Sequence, residues 1–403
     1  MIGGLPGRAH QSGAATHIAM IYATDFEKTS AGGIMTMIRE IITRLSARFA
    51  VLFIGVGDPD DGEALRQRVG ARSLSVLPVL PPTRRPRWLP LNVAFPIVLF
   101  ARRREICRHA DLIHVHRMEA ALPFVFRKSR PVVVNVHGAS KFHAMEQTGL
   151  LRLPLVRFLY DRAEGFVFSR ADRVVLVSRE GYEYYSMRHP RLRHKFVVIP
   201  NFIEIAELQR FERSAARAAH GLADDDIAVV YAGRLVREKR IDVLIDAFAP
   251  LHQERPAAHL LIAGDGPDER RLRHEVERRR LGNVHFLGLL QKRDVQRLLA
   301  GADTLVLPSR FEGFPMIVLE ALAYGVPVVA SDVGGIREIL TGGLERFIWH
   351  TDDPEELKRK ILDATGQRAS LRDLCMARAG GFDRARVLPQ LEELYASVVS
   401  TAH

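Results

Sequence analysis

Two runs in the second half of the chain hold residues whose types and spacing suit chemistry. The first is Gly233-Arg234-Leu235-Val236-Arg237-Glu238-Lys239-Arg240, which follows the apolar run 227–232 and precedes a helical pattern of Ile241, Leu244, Ile245 and Phe248. A strand-loop-helix junction at the carboxyl edge of a parallel sheet is where open α/β folds bind ligands. Gly233 permits a tight backbone there. Arg234, as a planar fork, and Lys239, as a point charge, can converge on a diphosphate. A solvated basic turn is the plainer reading. The second run is Glu312-Gly313-Phe314-Pro315-Met316-Ile317-Val318-Leu319-Glu320, after the apolar run 304–307 and the loop Pro308-Ser309-Arg310. Proline suits the first turn of a helix, where its missing donor costs nothing. Glu312 then falls on the loop and Glu320 one to two turns into the helix. The unbonded N–H groups at such a helix start suit a phosphate or a sugar hydroxyl. Glu320 stands among Ile317, Val318, Leu319, Ala321 and Leu322, and a carboxylate in that company needs a hydrogen-bonding partner. A ribose diol offers two donors. The plainer alternatives are a salt bridge or solvated helix face for Glu320 and a helix cap for Glu312.

These loops need a sheet to hold them. Short apolar runs at 17–23, 51–55, 73–79, 111–115, 131–137 and 173–178 alternate with amphipathic stretches. One stretch runs from Gly32-Gly33 to Phe49, with Ile34, Met37, Ile38, Ile41, Ile42 and Leu45 on one side. The alternation restarts with runs at 227–232, 259–263, 284–287, 304–307 and 326–330. Strand-helix alternation implies a parallel sheet covered on both faces, and two series imply two doubly wound domains. A chain of 403 residues, 47% hydrophobic and 26% charged, suits two such domains. The expected boundaries are 1–200, 201–380 and a C-terminal helical segment 381–403, with the hinge near Ile199-Pro200-Asn201. In the last segment Leu388, Leu391, Leu394 and Val398 repeat at helical spacing and need a partner surface.

Charge is uneven along the chain. Residues 1–200 hold 30 Lys and Arg against 16 Asp and Glu, and residues 201–403 hold 28 against 31. The first half is thus +14 and the second −3, within a total of +11. A basic half points to an anionic partner, although solubility in an Arg-rich proteome explains it equally. Within that half, the run 88–100 (WLPLNVAFPIVLF) carries no charge and is flanked by Arg84, Arg85, Arg87 and by Arg102, Arg103, Arg104. Thirteen residues are too few to span a bilayer, and Pro90 and Pro96 oppose a regular spanning helix. A buried helix with solvated ends and an interfacial element on anionic headgroups are both open readings. The two cysteines, Cys107 and Cys375, form no Cys-x-x-Cys motif, which fits a reducing compartment. Residues 1–16 lack the apolar core of a signal peptide and read as a frayed lead-in.

The carboxylates eight apart, with Gly-Phe after the first, resemble the E-x7-E motif of retaining glycosyltransferase family 4. The Gly-Arg-Leu-x-x-Glu-Lys run resembles that family's phosphate-binding loop. Gly32-Gly33, His137-Gly138, Ile199-Pro200-Asn201, Gly264-Asp265-Gly266-Pro267, the run 284–288 and Gly334-Gly335-Ile336-Arg337-Glu338 resemble further family landmarks in order. The resemblance implies the GT-B fold: two Rossmann-like doubly wound α/β domains facing a cleft, with the C-terminal helix packing back toward the N-domain. It implies that Arg234 and Lys239 hold the donor diphosphate, and that Glu320 binds the ribose. It has Glu312 contact hydroxyls of the transferred sugar, aided by amides near Gly313, Phe314 and Met316. Leu287 would lie against the base, Gly32-Gly33 would close over the diphosphate, and His137 would sit beside the reacting carbon. Pro315 has no N–H, so this chain offers one donor fewer than a relative with glycine there.

The expected activity is therefore retaining transfer of a hexose from a UDP- or GDP-sugar to a glycan or lipid-linked acceptor. Fixed cations and a helix N-terminus at the departing phosphate act mostly in the transition state, so no metal or other cofactor is expected. Asp58-Pro59-Asp60 and Asp224-Asp225-Asp226 read as turns. His114 and His116 fit the acceptor side, the core or a sheet edge equally. Gly55-Val56-Gly57 and Gly264-Asp265-Gly266 each lack the third glycine of a dinucleotide fingerprint, which disfavours an oxidoreductase. A GT-B epimerase or phosphorylase and a catalytically silent sugar-nucleotide binder are the alternatives. The expected setting is cytoplasmic, within cell-envelope glycan assembly. An anionic membrane surface, met through residues 84–104, is the further partner considered, and a nucleic acid is not expected.

Overall fold

The computed structural model describes residues 15–25, 33–57, 65–69, 72–80, 90–138, 153–350 and 352–401, with backbone alone at 65–69, 72 and 73. Gly32, Asp58-Pro59-Asp60 and the basic residues Arg84, Arg85 and Arg87 lie outside the described residues, as does Trp88. The chain divides into two compact units, one of residues 1–199 with 388–403 and the other of residues 200–387.

The first unit is built on β1 (Thr16–Asp25), α1 (Gly33–Arg44), β2 (Phe49–Val56), β3 (Leu65–Val69), β4 (Arg72–Leu80), α2 (Leu91–His109), β5 (Leu112–Val115), α3 (Met118–Phe126), β6 (Val132–Val136), α4 (Pro154–Arg170), β7 (Arg173–Leu176), α5 (Arg179–Arg188) and β8 (Phe196–Val198). Its eight-stranded sheet runs β3-β4-β2-β1-β5-β6-β7-β8 and is parallel except for β3, which pairs antiparallel with β4. The chain winds outward from β1 in one direction and from β5 in the other, so the topological switch point lies between them. Sheets buried on both faces need continuous apolar strands, and β5 and β6 are buried throughout. One face is packed by Phe95, Leu99 and Ile106 of α2, Ala121, Phe124 and Val125 of α3, and Val167 and Phe168 of α4. Helix α2 runs through Pro96 and into the arginines of 102–104, so the uncharged run is only part of a longer helix. It also divides that run: Phe95 and Leu99 are buried, whereas Val93, Ile97 and Phe100 are exposed.

The second unit is built on α6 (Arg213–Ala218), β9 (Ile227–Ala232), α7 (Ile241–Glu254), β10 (Ala258–Ala263), α8 (Glu269–Arg278), β11 (Val284–Gly288), α9 (Lys292–Gly301), β12 (Thr304–Leu307), α10 (Met316–Ala323), β13 (Val328–Ser331), α11 (Ile336–Ile339), β14 (Ile348–Trp349), α12 (Pro354–Gly366) and α13 (Arg368–Gly380). Its six-stranded parallel sheet runs β11-β10-β9-β12-β13-β14, which puts the switch point between β9 and β12. The 224–226 aspartates form a turn, with the Asp226 carboxylate accepting from the Ala223 amide at 2.7 Å. The fully buried Arg217 donates to the carbonyls of Ala223, Gly301 and Asp226 and pairs with Asp303, so its charge is satisfied where a lone one would be costly.

The chain closes with α14 (Arg384–Ser400), whose residues from Leu388 onward cluster with the first unit. The stripe Leu388, Leu391, Leu394 and Val398 is buried there. Glu392 accepts from the Ser46 amide at 2.5 Å and pairs with Arg48 at 3.1 Å, tying this helix to the loop before β2.

Candidate functional site

In the second unit the two motif loops emerge on either side of the switch point. Arg234 and Lys239 lie in the loop after β9, and Glu312 lies in the loop after the adjacent strand β12. The Lys239 Nζ stands 2.5 Å from Glu312 Oε1, with both side chains largely shielded from solvent. The Arg310 amide donates to the Glu238 carbonyl at 2.8 Å, a backbone tie that holds the loops in that register. Arg234 is exposed, and its carbonyl accepts from the buried Tyr231 hydroxyl at 2.9 Å. The structure thus places an exposed guanidinium and an ion-paired ammonium on one loop at the carboxyl edge of the sheet.

Neighbouring loops press against these two. The Gly233 amide donates to the Ala263 carbonyl, and Leu235 to Asp265. Gly264 has φ +133°, and a Cβ there would lie 1.8 Å from the Gly233 carbonyl oxygen. Only glycine allows the post-β10 loop to back the basic loop so closely. Gly334, at φ +59°, does the same for the Glu312 loop, where a Cβ would meet the Glu312 carbonyl at 2.4 Å. The Gly335 amide donates to the Gly313 carbonyl at 2.7 Å. Phe314 is buried with its ring edge-on to Phe382, and its carbonyl accepts from Asn201 Nδ2 at 2.7 Å. Its side chain therefore anchors the loop. Helix α10 then starts at Met316 with Pro315 as its cap residue, and Glu320 lies more than one turn in, half-buried. Burial and the Glu320 carboxylate push the neighbouring Tyr324 hydroxyl up to about 12. Leu287 is half-buried on β11, the edge strand beyond β10.

In the first unit, Gly33 opens α1 after β1, and a Cβ there would meet nothing within 4 Å. His137 follows β6. Its Nε2 lies 2.9 Å from His116 Nδ1 and 3.0 Å from Asn135 Nδ2, and the two imidazoles stack at 5.2 Å. An Nε2 that accepts from the Asn135 amide leaves the proton of neutral His137 on Nδ1. The His114 ring lies 4.3 Å from that of His116, tilted by 42°, and its Nδ1 meets the Tyr395 hydroxyl of α14 at 2.7 Å. Burial, with the Arg117 charge beside it, pushes His137 down to about 3; burial and His137 do the same to His114. His116 is driven well below its ordinary value by burial and its two neighbours. The array is therefore neutral at physiological pH. Sequence reading left His114 and His116 open and did not find Asn135, Tyr231 or the role of Asn201. The His-x-His spacing before Arg117 is the one signal that pointed there.

Two family models match the chain in succession: that described as Glycosyltransferase Family 4 over residues 31–207 and that described as Glycosyl transferases group 1 over residues 212–376. The chain belongs to glycosyltransferase family 4. The glycosyltransferase is 27% identical to D-inositol 3-phosphate glycosyltransferase of Nocardia farcinica over 322 residues, covering 76% of this chain and 70% of that one. Its fold is that of sucrose-phosphate synthase from Thermosynechococcus elongatus, with TM-score 0.80 at 22% identity, covering 96% of this chain and all of the other. Anabaena HepE, solved in complex with UDP-glucose, aligns with TM-score 0.71 at 21% identity over 94% of this chain and 99% of that one. The architecture is GT-B, with two Rossmann-like domains. Among the described residues of the glycosyltransferase, no group of three or more His, Cys, Asp or Glu is placed to hold a metal ion, and no helix is long and apolar enough to cross a membrane.

Proposed function

We propose that this glycosyltransferase moves a hexose from a UDP- or GDP-sugar to a glycan or lipid-linked acceptor, with retention of configuration and without a metal ion. The observation that carries the reading is the meeting of Lys239 and Glu312 at the switch point of the second unit, with Arg234 on the same loop as Lys239. Breaking the sugar–phosphate bond builds negative charge on the departing diphosphate. Arg234, Lys239 and the start of α10 supply fixed positive potential for it. Glu312 then turns to the sugar hydroxyls, and Glu320, half-buried on α10, accepts from the ribose diol. The amides of Gly313, Phe314 and Met316 are the neutral donors of the same loop, and Leu287 faces the base. In the retaining step the acceptor oxygen bonds to the anomeric carbon on the face the phosphate leaves, and its proton passes to the departing phosphate oxygen. In this reading the acceptor belongs to the first unit, where His137 is a neutral hydrogen-bonding group.

Nucleotide release with and without a glycan acceptor tests the reading. Acceptor-dependent release with the product anomer matching the donor, seen by NMR, is the expected result. Release of a free or epimerised sugar that no acceptor accelerates would replace transfer with hydrolysis or epimerisation.

A further inference from the structure

The sequence directs attention to the uncharged run of 88–100, but α2 turns half of that run inward. What it leaves outside is a stripe. Val93, Ile97, Phe100 and Arg104 recur at i, i+4, i+7 and i+11, on one side of the helix, and all are exposed. A second stripe lies on α4. Leu155, Phe158, Leu159 and Arg162 are exposed at i, i+3, i+4 and i+7, and Phe166 continues the line at i+11. Helix α3 packs between the two helices and joins them. Its last residue, Phe126, is 60% exposed, with its ring 6.4 Å from Phe100 and 6.5 Å from Phe166. Most of the exposed large hydrophobic side chains among the described residues fall on this one face. Contiguous apolar exposure of this kind marks an interaction surface.

Charge identifies the occupant. Arginines stand over the aromatic rings of the face: Arg103 over Phe100 at 4.9 Å, Arg162 over Phe158 at 5.9 Å and Arg170 over Phe166 at 5.8 Å. The acids on the same helices are engaged within the unit, Glu105 with Arg102, Glu119 with Arg117, and Asp161 and Glu164 with Arg188. Apolar side chains ringed by arginine fit an interface whose apolar layer lies beneath anionic groups. A second copy of this chain would bring the same basic rim and be repelled by it. We propose that the α2–α3–α4 face, with Ile97, Phe100, Phe126 and Phe158 as its inserting side chains, docks the first unit on an anionic lipid surface. This surface is independent of the donor chemistry, and nucleotide binding by the same variants separates the two ideas.

Flotation of the full chain with vesicles tests it, using phosphatidylglycerol–phosphatidylcholine vesicles, phosphatidylcholine alone, and salt at 0.1 M and 1 M. The chain should float with the anionic vesicles at low salt and be released at high salt, because the Debye length falls from about 10 Å to about 3 Å. Ile97→Ser with Phe126→Ser and Phe158→Ser, all at exposed positions, should keep the melting temperature and lower the partition coefficient on the order of tenfold or more. Arg103→Gln with Arg104→Gln and Arg162→Gln should lower it and flatten its salt dependence. A chain that ignores anionic vesicles, floats equally with neutral ones, or floats undiminished in both triple variants overturns the proposal. So does a sedimentation experiment in which the serine variant converts a dimer to a monomer, since the face would then be a self-interface.

Discussion

The Lys239–Glu312 pair makes opposite predictions for its two members. Lys239→Met removes the ammonium proposed to meet the diphosphate. Loss of one charged hydrogen bond, about 1.5–3 kcal/mol, raises the dissociation constant of a nucleoside diphosphate about 10- to 100-fold. Glu312→Gln should do the reverse for the bare nucleotide. Given the 2.5 Å contact between the side chains and the tetrahedral spread of the ammonium donors, a phosphate oxygen on Lys239 stands about 4–5 Å from the carboxylate. At an effective dielectric of about 20, two like charges at that range repel by about 4 kcal/mol, part of which screening removes. Neutralising Glu312 should therefore tighten UDP or GDP by about three- to tenfold, while lowering sugar transfer by about a hundredfold or more. Titration calorimetry with the bare nucleotide and initial rates with the sugar donor read the two effects separately. Melting curves check the fold, since Lys239→Met removes an ion-pair partner from a largely buried carboxylate. Unchanged nucleotide affinity in Lys239→Met would refute the assignment of the diphosphate. Weakening in Glu312→Gln equal to that in Lys239→Met would mean that Glu312 serves the nucleotide and not the sugar.

Three further outcomes are expected. His114 and His116 stay neutral in the folded chain while the unfolded chain protonates them near pH 6.5, so their contribution is full above that pH and falls on acidification toward 3. Denaturant titrations should show about 2 kcal/mol less stability at pH 5 than at pH 7 from His114, with a further loss in the same direction from His116, and a His114→Asn, His116→Asn variant that retains the whole difference would exclude them as its source. Gly264→Ala must move the basic loop, because its Cβ would overlap the Gly233 carbonyl, so nucleotide binding and melting temperature should both fall. Gly282→Ala, with open space around it, should stay within about 0.5 kcal/mol, and equal behaviour of the two would contradict the packing described. EDTA should leave initial transfer rates nearly intact; complete loss restored by Mg²⁺ or Mn²⁺ would show that a cation shares the leaving group with Arg234 and Lys239.

The run of the sequence made β9, β12 and the interior strands legible because parallel strands buried on both faces are uninterrupted apolar stretches. Two strands were not read. β3 is a charged antiparallel edge, LRQRV, and β14 is two residues long, so neither carries a periodic signal. The buried-helix reading of 88–100 stopped at the arginines, which look like a solvated end. The helix continues because Leu99 and Ile106 are buried on its inner side beyond the proline. At the site, residue types and loop positions followed from the motifs, but the Lys239–Glu312 contact did not. It joins residues 73 apart, and only the sheet order, with β12 beside β9, brings them together. The histidine array is the same case, since His116 and His137 meet through the pairing of β5 with β6.

The account rests on a nucleotide held through its ribose by Glu320 beside the basic loop. Calorimetry of UDP and GDP, each against its 2′,3′-dideoxy form, with the unaltered chain and with Glu320→Ala, tests that most directly. The unaltered chain should bind one of the two nucleotides and lose about 10- to 100-fold in affinity with its dideoxy form, while Glu320→Ala should bind both forms equally weakly. Failure to bind either nucleotide, or a dideoxy penalty that survives in Glu320→Ala, would contradict it.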